Sequence, residues 1–257
     1  MCIRDRINGA ALAGVLSLAW VSPPGRAVHN LEILVDHERA TQSRVVRHQV
    51  YATYRRMDLA GQRMILERSR VFEPTIEEAA EAFGVSHELL MGIASTESGF
   101  HPRPSSDGGR GLFQITAVPA AAEEEVRRVL GVRRLDPVNQ RHNAYLAAAT
   151  LTLYAREMKD DLLLALLAYN MGPRNGGLRY VLDAYGAQNF SQAQPYLQEL
   201  PRDYPIRVLS AALAYRLWKQ SGGLPRYEEG EGFSARRIQR VGIPGLDGAS
   251  PFSGYRD

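Results

Sequence analysis

The chain has 257 residues, 45% of them hydrophobic and 23% charged, with a formal net charge of +3. That is enough for one sizeable core plus extensions, and no basic run interleaved with aromatics offers a nucleic-acid surface. A single cysteine excludes an intramolecular disulfide and a cysteine-built zinc site, and the six histidines include no His-x-x-x-His pair, so neither a metal nor a cofactor is expected.

At the start of the chain, Arg4 and Arg6 precede the apolar run "INGAALAGVLSLAWV" (7–21), which is followed by Pro23-Pro24-Gly25. The run suits the apolar part of a signal peptide and is short for a spanning helix. Gly25-Arg26-Ala27 is a poor cleavage site, so residues 1–27 read as either a signal peptide or an inner-membrane anchor. Either reading places the rest in the periplasm or cell envelope. Cys2 lies ahead of the apolar run, the wrong place for lipid attachment. Residues 28–72 form a helical extension in which Val46, Val50, Tyr54, Met57 and Leu59 fall at helical spacings. One or two amphipathic helices packed on the main domain are expected there.

The main domain is placed at 73–221. Pro74-Thr75 opens a helix, "TIEEAAEAFG", with Thr75 and Glu78 in capping-box register and Gly84 as its stop. Ser86 caps the next helix, which runs to Ser98. Residues 99–120, rich in Gly, Pro, Ser and Asp, make a long turn-rich loop that has room for a small hairpin. Asp136-Pro137 supplies an N-cap and a first helical residue for a long helix to about Met158. Asp160 or Asp161 starts "LLLALLAYN", apolar on nearly every side and therefore central, with Gly172-Pro173 as its stop. Two more helices are expected near 176–185 and 204–220. The Gly- and Pro-rich tail, 222–257, has no core of its own. The class is mainly α.

One residue breaks the pattern. Leu89, Leu90, Ile93 and Ala94 form an apolar stripe, and Glu97 falls on that same stripe at the helix end. Desolvation there and the negative end of the helix dipole both raise a carboxyl pKa, which suits a general acid. On this helix alone, a structural glutamate that caps a neighbour or pairs with an arginine is the stronger contender.

The segment "ESGFHPRPSSDGGRGLFQI" (97–115) resembles the signature of the soluble lytic transglycosylases, relatives of the G-type lysozymes. Ser105, Gly108, Gly111, Leu112 and Gln114 match the family pattern, while Gly109 and Phe113 replace its usual alanine and methionine. "AYNMGP" (168–173) resembles a second family block and "DYPIRVL" (203–209) a third, in the same order. The resemblance implies a lysozyme-like helical domain with a small glycine-rich loop or hairpin at its active site. It also implies cleavage of the β-1,4 bond between N-acetylmuramic acid and N-acetylglucosamine in peptidoglycan. Glu97 would be the catalytic acid and then the base, leaving 1,6-anhydromuramic ends. Ser105, Phe113, Gln114, Tyr169, Asn170 and Tyr204 would bind the saccharide or orient the glutamate, with Phe100 adding a flat apolar face.

Asp107 departs from the family pattern. Facing the cleft about 6.5–9.5 Å from Glu97, it would activate a water and make the protein a hydrolytic muramidase. Alternatively, Asp107-Gly108 is simply a turn. A third reading keeps the fold as a non-catalytic wall-binding module. Oligomeric state has no signature in the sequence.

Overall fold

The computed structural model describes residues 43–174, 177–227, 233–247 and 251–252, with the backbone alone at 199–200 and 233–234. The chain divides into two units, 1–45 and 46–257. The first falls almost entirely outside the described residues, and so does the apolar run 7–21. Among the described residues no helix is long and apolar enough to cross a membrane.

The second unit is built of helices. Residues 43–56 (α1) and Leu59–Ser69 (α2) realise the expected amphipathic pair, with Asp58 capping α2 through the Ala60 amide. Helix α3 spans Glu73–Phe83 and stops at Gly84, as expected, but it does not begin with a capping box. Pro74 carries a helical φ and lacks an amide to satisfy, so the helix starts ahead of it and Thr75 lies inside the first turn. Glu78 is left to pair with Arg141. Helix α4, His87–Glu97, is capped by the Ser86 hydroxyl on the Leu89 amide and ends at Ser98.

Helix α5, Ala120–Leu130, was not expected from the sequence. Helix α6, Gln140–Glu157, starts three residues later than the Asp136-Pro137 signal suggests. Asp136 instead accepts from the Val138 amide in a turn, and Asn139 is the cap, accepting from Arg141 and His142. Asp161 caps α7, Leu162–Met171, in which every residue from Leu162 to Ala168 is buried. Helices α8 (Leu178–Tyr185) and α9 (Phe190–Ala193), with a 3₁₀ turn at Gln194–Tyr196, lead to α10.

Helix α10, Glu199–Ser221, takes in Pro205 and starts earlier than that proline suggests. One interior proline removes a single intrahelical bond, which the packing of this long helix absorbs. The tail is not featureless: Phe233–Val241 is helical (α11), and Ile238 and Ile243 are buried in the common core. The Ser86 amide donates to the Pro251 carbonyl, which ties the tail to the start of α4.

The packing of α4 on α10 positions the site. Gly92 lies against α10 so closely that a Cβ would fall 2.6 Å from the Val208 carbonyl oxygen. A helix-to-helix approach that tight needs glycine on one side. Helix α3 lies on α6, where the Thr152 hydroxyl donates to the Phe83 carbonyl.

Candidate active site

Glu97 is the last residue of α4, and its carboxyl faces a cavity of about 270 Å³. Ser105, Gln114, Tyr169 and Asn170 line the same cavity, so five of the seven residues singled out in the sequence meet at one place. Burial pushes the Glu97 carboxyl up to about 7. The Tyr204 hydroxyl donates to its Oε1 at 2.6 Å and pulls the other way, as does the Arg207 guanidinium; Asp107 adds a small push upward. Desolvation wins over one hydrogen bond and one exposed cation.

The loop between α4 and α5 is held from both sides. Arg68 donates to the Gly99 carbonyl from Nη2 at 2.9 Å and from Nε at 3.2 Å. Arg110 and Ile115 pair as an antiparallel bridge, and the Gly108 amide closes a turn on the Ser105 carbonyl at 3.1 Å. Buried Asn143, on α6, is the anchor: it accepts from the Phe113 amide at 3.0 Å and donates to the carbonyls of Arg110 and Pro137. Gly111 makes that anchor fit. Its φ is +74°, and a Cβ there would lie 2.5 Å from the Asn143 side chain.

Two non-glycine residues in this loop hold left-handed backbone, Phe100 at φ 58° and Gln114 at φ 45°. Each such conformation costs on the order of 1–3 kcal/mol and persists only when its surroundings enforce it. Phe100 is enforced by burial and by stacking on Phe72 at 6.2 Å. Gln114 is enforced by its Nε2, which donates to the carbonyls of Arg103 and Gly111 at 2.7 and 2.8 Å.

Several expectations change here. Phe113 is fully buried and its ring offers no face to a sugar. Its contribution is main-chain: its carbonyl accepts from the Tyr169 hydroxyl at 3.1 Å, which fixes that ring at the cavity wall. Phe100 is likewise core. Tyr204 is 2% exposed and is not among the residues lining the cavity; its hydroxyl donates to Glu97. Asp107 is exposed in the turn, as Asp-Gly dipeptides prefer, yet it also reaches the cavity rim. The Ser105 hydroxyl donates to its carboxylate and holds it below the usual range.

Sequence reasoning missed Asn143, Thr150, Tyr154 and Arg207. Asn143 and Thr150 are isolated polar residues in the otherwise apolar run "NAYLAAATL", which is the signal that marks a buried polar role. Thr150 and Tyr154, one turn apart on α6, form the cavity wall together with Ile115 and Ala117.

Residues 74–180 match the Transglycosylase SLT domain family. The chain is 33% identical over 184 residues to the peptidoglycan transglycosylase gp16 of Escherichia phage T7, covering 68% of this chain and 12% of that protein. It is 27% identical over 169 residues to the membrane-bound lytic murein transglycosylase F of Hahella chejuensis, covering 61% of this chain and 32% of that protein. The chain thus spans a third or less of these curated relatives. Among solved structures it is similar to an inactive mutant of the lytic transglycosylase Slt from Pseudomonas aeruginosa, at 24% identity and a TM-score of 0.47, covering 61% of this chain and 25% of that one. It is also similar to the 70 kDa soluble lytic transglycosylase of Escherichia coli, at 18% identity and a TM-score of 0.47, covering 60% and 25%. Residues 74–180, which hold Glu97 and the blocks around it, are a transglycosylase SLT domain, and the chain belongs to that family.

Proposed function

We propose that this chain is a peptidoglycan lytic transglycosylase in which Glu97 carries both proton transfers. The observation that carries the reading is a single half-buried carboxyl at the wall of a polar cavity, held near 7 by burial against the Tyr204 hydroxyl. A group poised there can give a proton and take one back at neutral pH. Glu97 protonates the glycosidic oxygen as the bond from the muramic C1 breaks. The carboxylate so formed takes the proton of the muramic C6 hydroxyl as that oxygen closes on C1, giving the 1,6-anhydro ring. Participation by the substrate's own acetamido group between the two steps removes the need for a second protein carboxylate. Ser105, Gln114, Tyr169 and Asn170 bind the saccharide, and Tyr204 orients the acid. The catalytic unit is residues 73–221, working at the cell envelope with residues 1–27 as leader or anchor.

Masses of the muropeptides released from purified peptidoglycan test this. Anhydro ends, lighter by one water than reducing ends, are expected to dominate; reducing ends throughout would overturn the proposal. One observation favours the hydrolytic alternative, in which Asp107 activates a water: its ionised carboxylate sits on the rim of the same cavity. Three features of the turn already engage it, namely the Ser105 hydroxyl and the amides of Asp107 and Gly109, which is why the anhydro route is preferred.

A further inference from the structure

The cavity wall on α6 holds a hydroxyl that the protein does not use. Thr150 is 4% exposed and lines the cavity that Glu97 faces, and its Oγ1 is buried without a hydrogen-bond partner among the described residues. Threonine in a helix ordinarily settles its hydroxyl on the carbonyl four residues back. Thr152, two residues along the same helix, does this on the Ala148 carbonyl at 3.0 Å and on Phe83 besides. Thr150 does not, although it has the same option. A buried hydroxyl left unpaired is unfavourable and calls for an explanation.

The surroundings say what would satisfy it. Thr150 lines the same cavity as apolar Ile115 and Ala117 and lies one helical turn from Tyr154, so a hydroxyl and small apolar surfaces share one lining. Two rotamers are open to threonine in a helix, and they exchange its methyl and hydroxyl at that wall. A group carrying a carbonyl, an N–H and a methyl on adjoining atoms matches this mixture. A bare sugar hydroxyl leaves the apolar part unused, and a free amine brings a cation to it. We infer that Thr150 is a specificity-determining residue whose hydroxyl bonds the N-acetyl group of a bound hexosamine and so selects acetylated over de-N-acetylated glycan. The inference rests on the saccharide-binding part of the proposed function but not on its chemical step.

The test compares the wild-type chain, Thr150→Val and Thr150→Ser by calorimetric titration with chitotetraose and with its fully de-N-acetylated counterpart. Valine keeps the shape and removes only the hydroxyl; serine keeps the hydroxyl. Expected are preferential binding of chitotetraose by the wild type and a loss of about tenfold in T150V, the share of one hydrogen bond. T150S should stay near wild type, and affinity for the de-N-acetylated oligomer should not change. Because an unpaired buried hydroxyl is removed, T150V should melt at or above the wild-type temperature. The inference is overturned if T150V binds chitotetraose as the wild type does, if the wild type binds neither oligomer, or if T150V weakens both equally while melting lower. A chain that shows the Thr150-dependent preference yet releases no anhydro ends keeps this subsite and loses the proposed reaction.

Discussion

Replacing Glu97 with Gln should make the protein more stable at alkaline pH, by an amount that follows from its titration. Burial raises the Glu97 carboxyl from an ordinary 4.5 to about 7. Between those two values the folded chain holds a proton that the unfolded chain has released. Stability therefore falls as pH rises through that window and levels off above about 7. Each pH unit within it is worth at most about 1.4 kcal/mol, so the wild type carries a cost of about 2–3 kcal/mol at pH 8 that is absent at pH 4. Glutamine has nothing to titrate and can still accept from Tyr204. For a chain of this size, E97Q should melt about 5–10 °C above the wild type at pH 8 and close to it at pH 4. Thermal melts of both proteins across pH 4–8 measure this, and other titrating groups cancel in the difference. Equal melting temperatures at pH 8, or a less stable variant, would refute the claim that a desolvated, ionised Glu97 strains the fold. The same variant should bind glycan and release no fragments.

Tyr204→Phe removes the hydroxyl that favours the carboxylate, so the alkaline limb of the rate profile should move to higher pH by about one unit; an unmoved limb would separate Tyr204 from Glu97. Asp107→Asn should leave anhydro products dominant and the rate within a few-fold, whereas a loss of about 10²-fold or more in fragment release would make Asp107 the general base of a hydrolase. Asn143→Ala orphans the buried Phe113 amide and removes a donor from the Arg110 and Pro137 carbonyls, with an expected destabilisation of about 2–4 kcal/mol in denaturant titration and slower turnover from a loosened loop.

The helices whose ends carry local chemistry were legible in the sequence. Ser86, Asp161 and Gly84 mark boundaries because a cap is a short-range interaction among neighbours in the chain. Helix α5 was hidden because its cap, Pro119, offers no side-chain acceptor and only Ala122 and Val126 are buried along it. Pro205 misled about the start of α10, since long helices tolerate one missing bond when tertiary packing holds them. At the site, Glu97 was legible as a charge on an apolar stripe. The burial of Phe113 was not, because an aromatic in a glycine-rich loop looks the same whether it faces a ligand or the core. Nor was the bond from Tyr204, which lies 107 residues away in the chain.

That bond shows how the chemistry depends on backbone spacing rather than on the residues around the cavity alone. Helices α4 and α10 touch at Gly92 and Val208 and again at Glu97 and Tyr204, so they run antiparallel. From Gly92 to Glu97 the rise is about 7.5 Å, and from Val208 back to Tyr204 about 6 Å. The two contacts therefore lie at similar spacings along both helices, a little over one turn from each other. The missing side chain at Gly92 sets how closely the helices approach, and that approach sets whether a tyrosine hydroxyl can reach the carboxyl at 2.6 Å. The same approach makes α10 part of the wall that buries Glu97. Desolvation raises the acid and the Tyr204 bond lowers it, and both are fixed by one helix crossing. A change that pushed the helices apart would loosen the two opposing effects together. The carboxyl would move back toward its ordinary value without any residue of the cavity being touched.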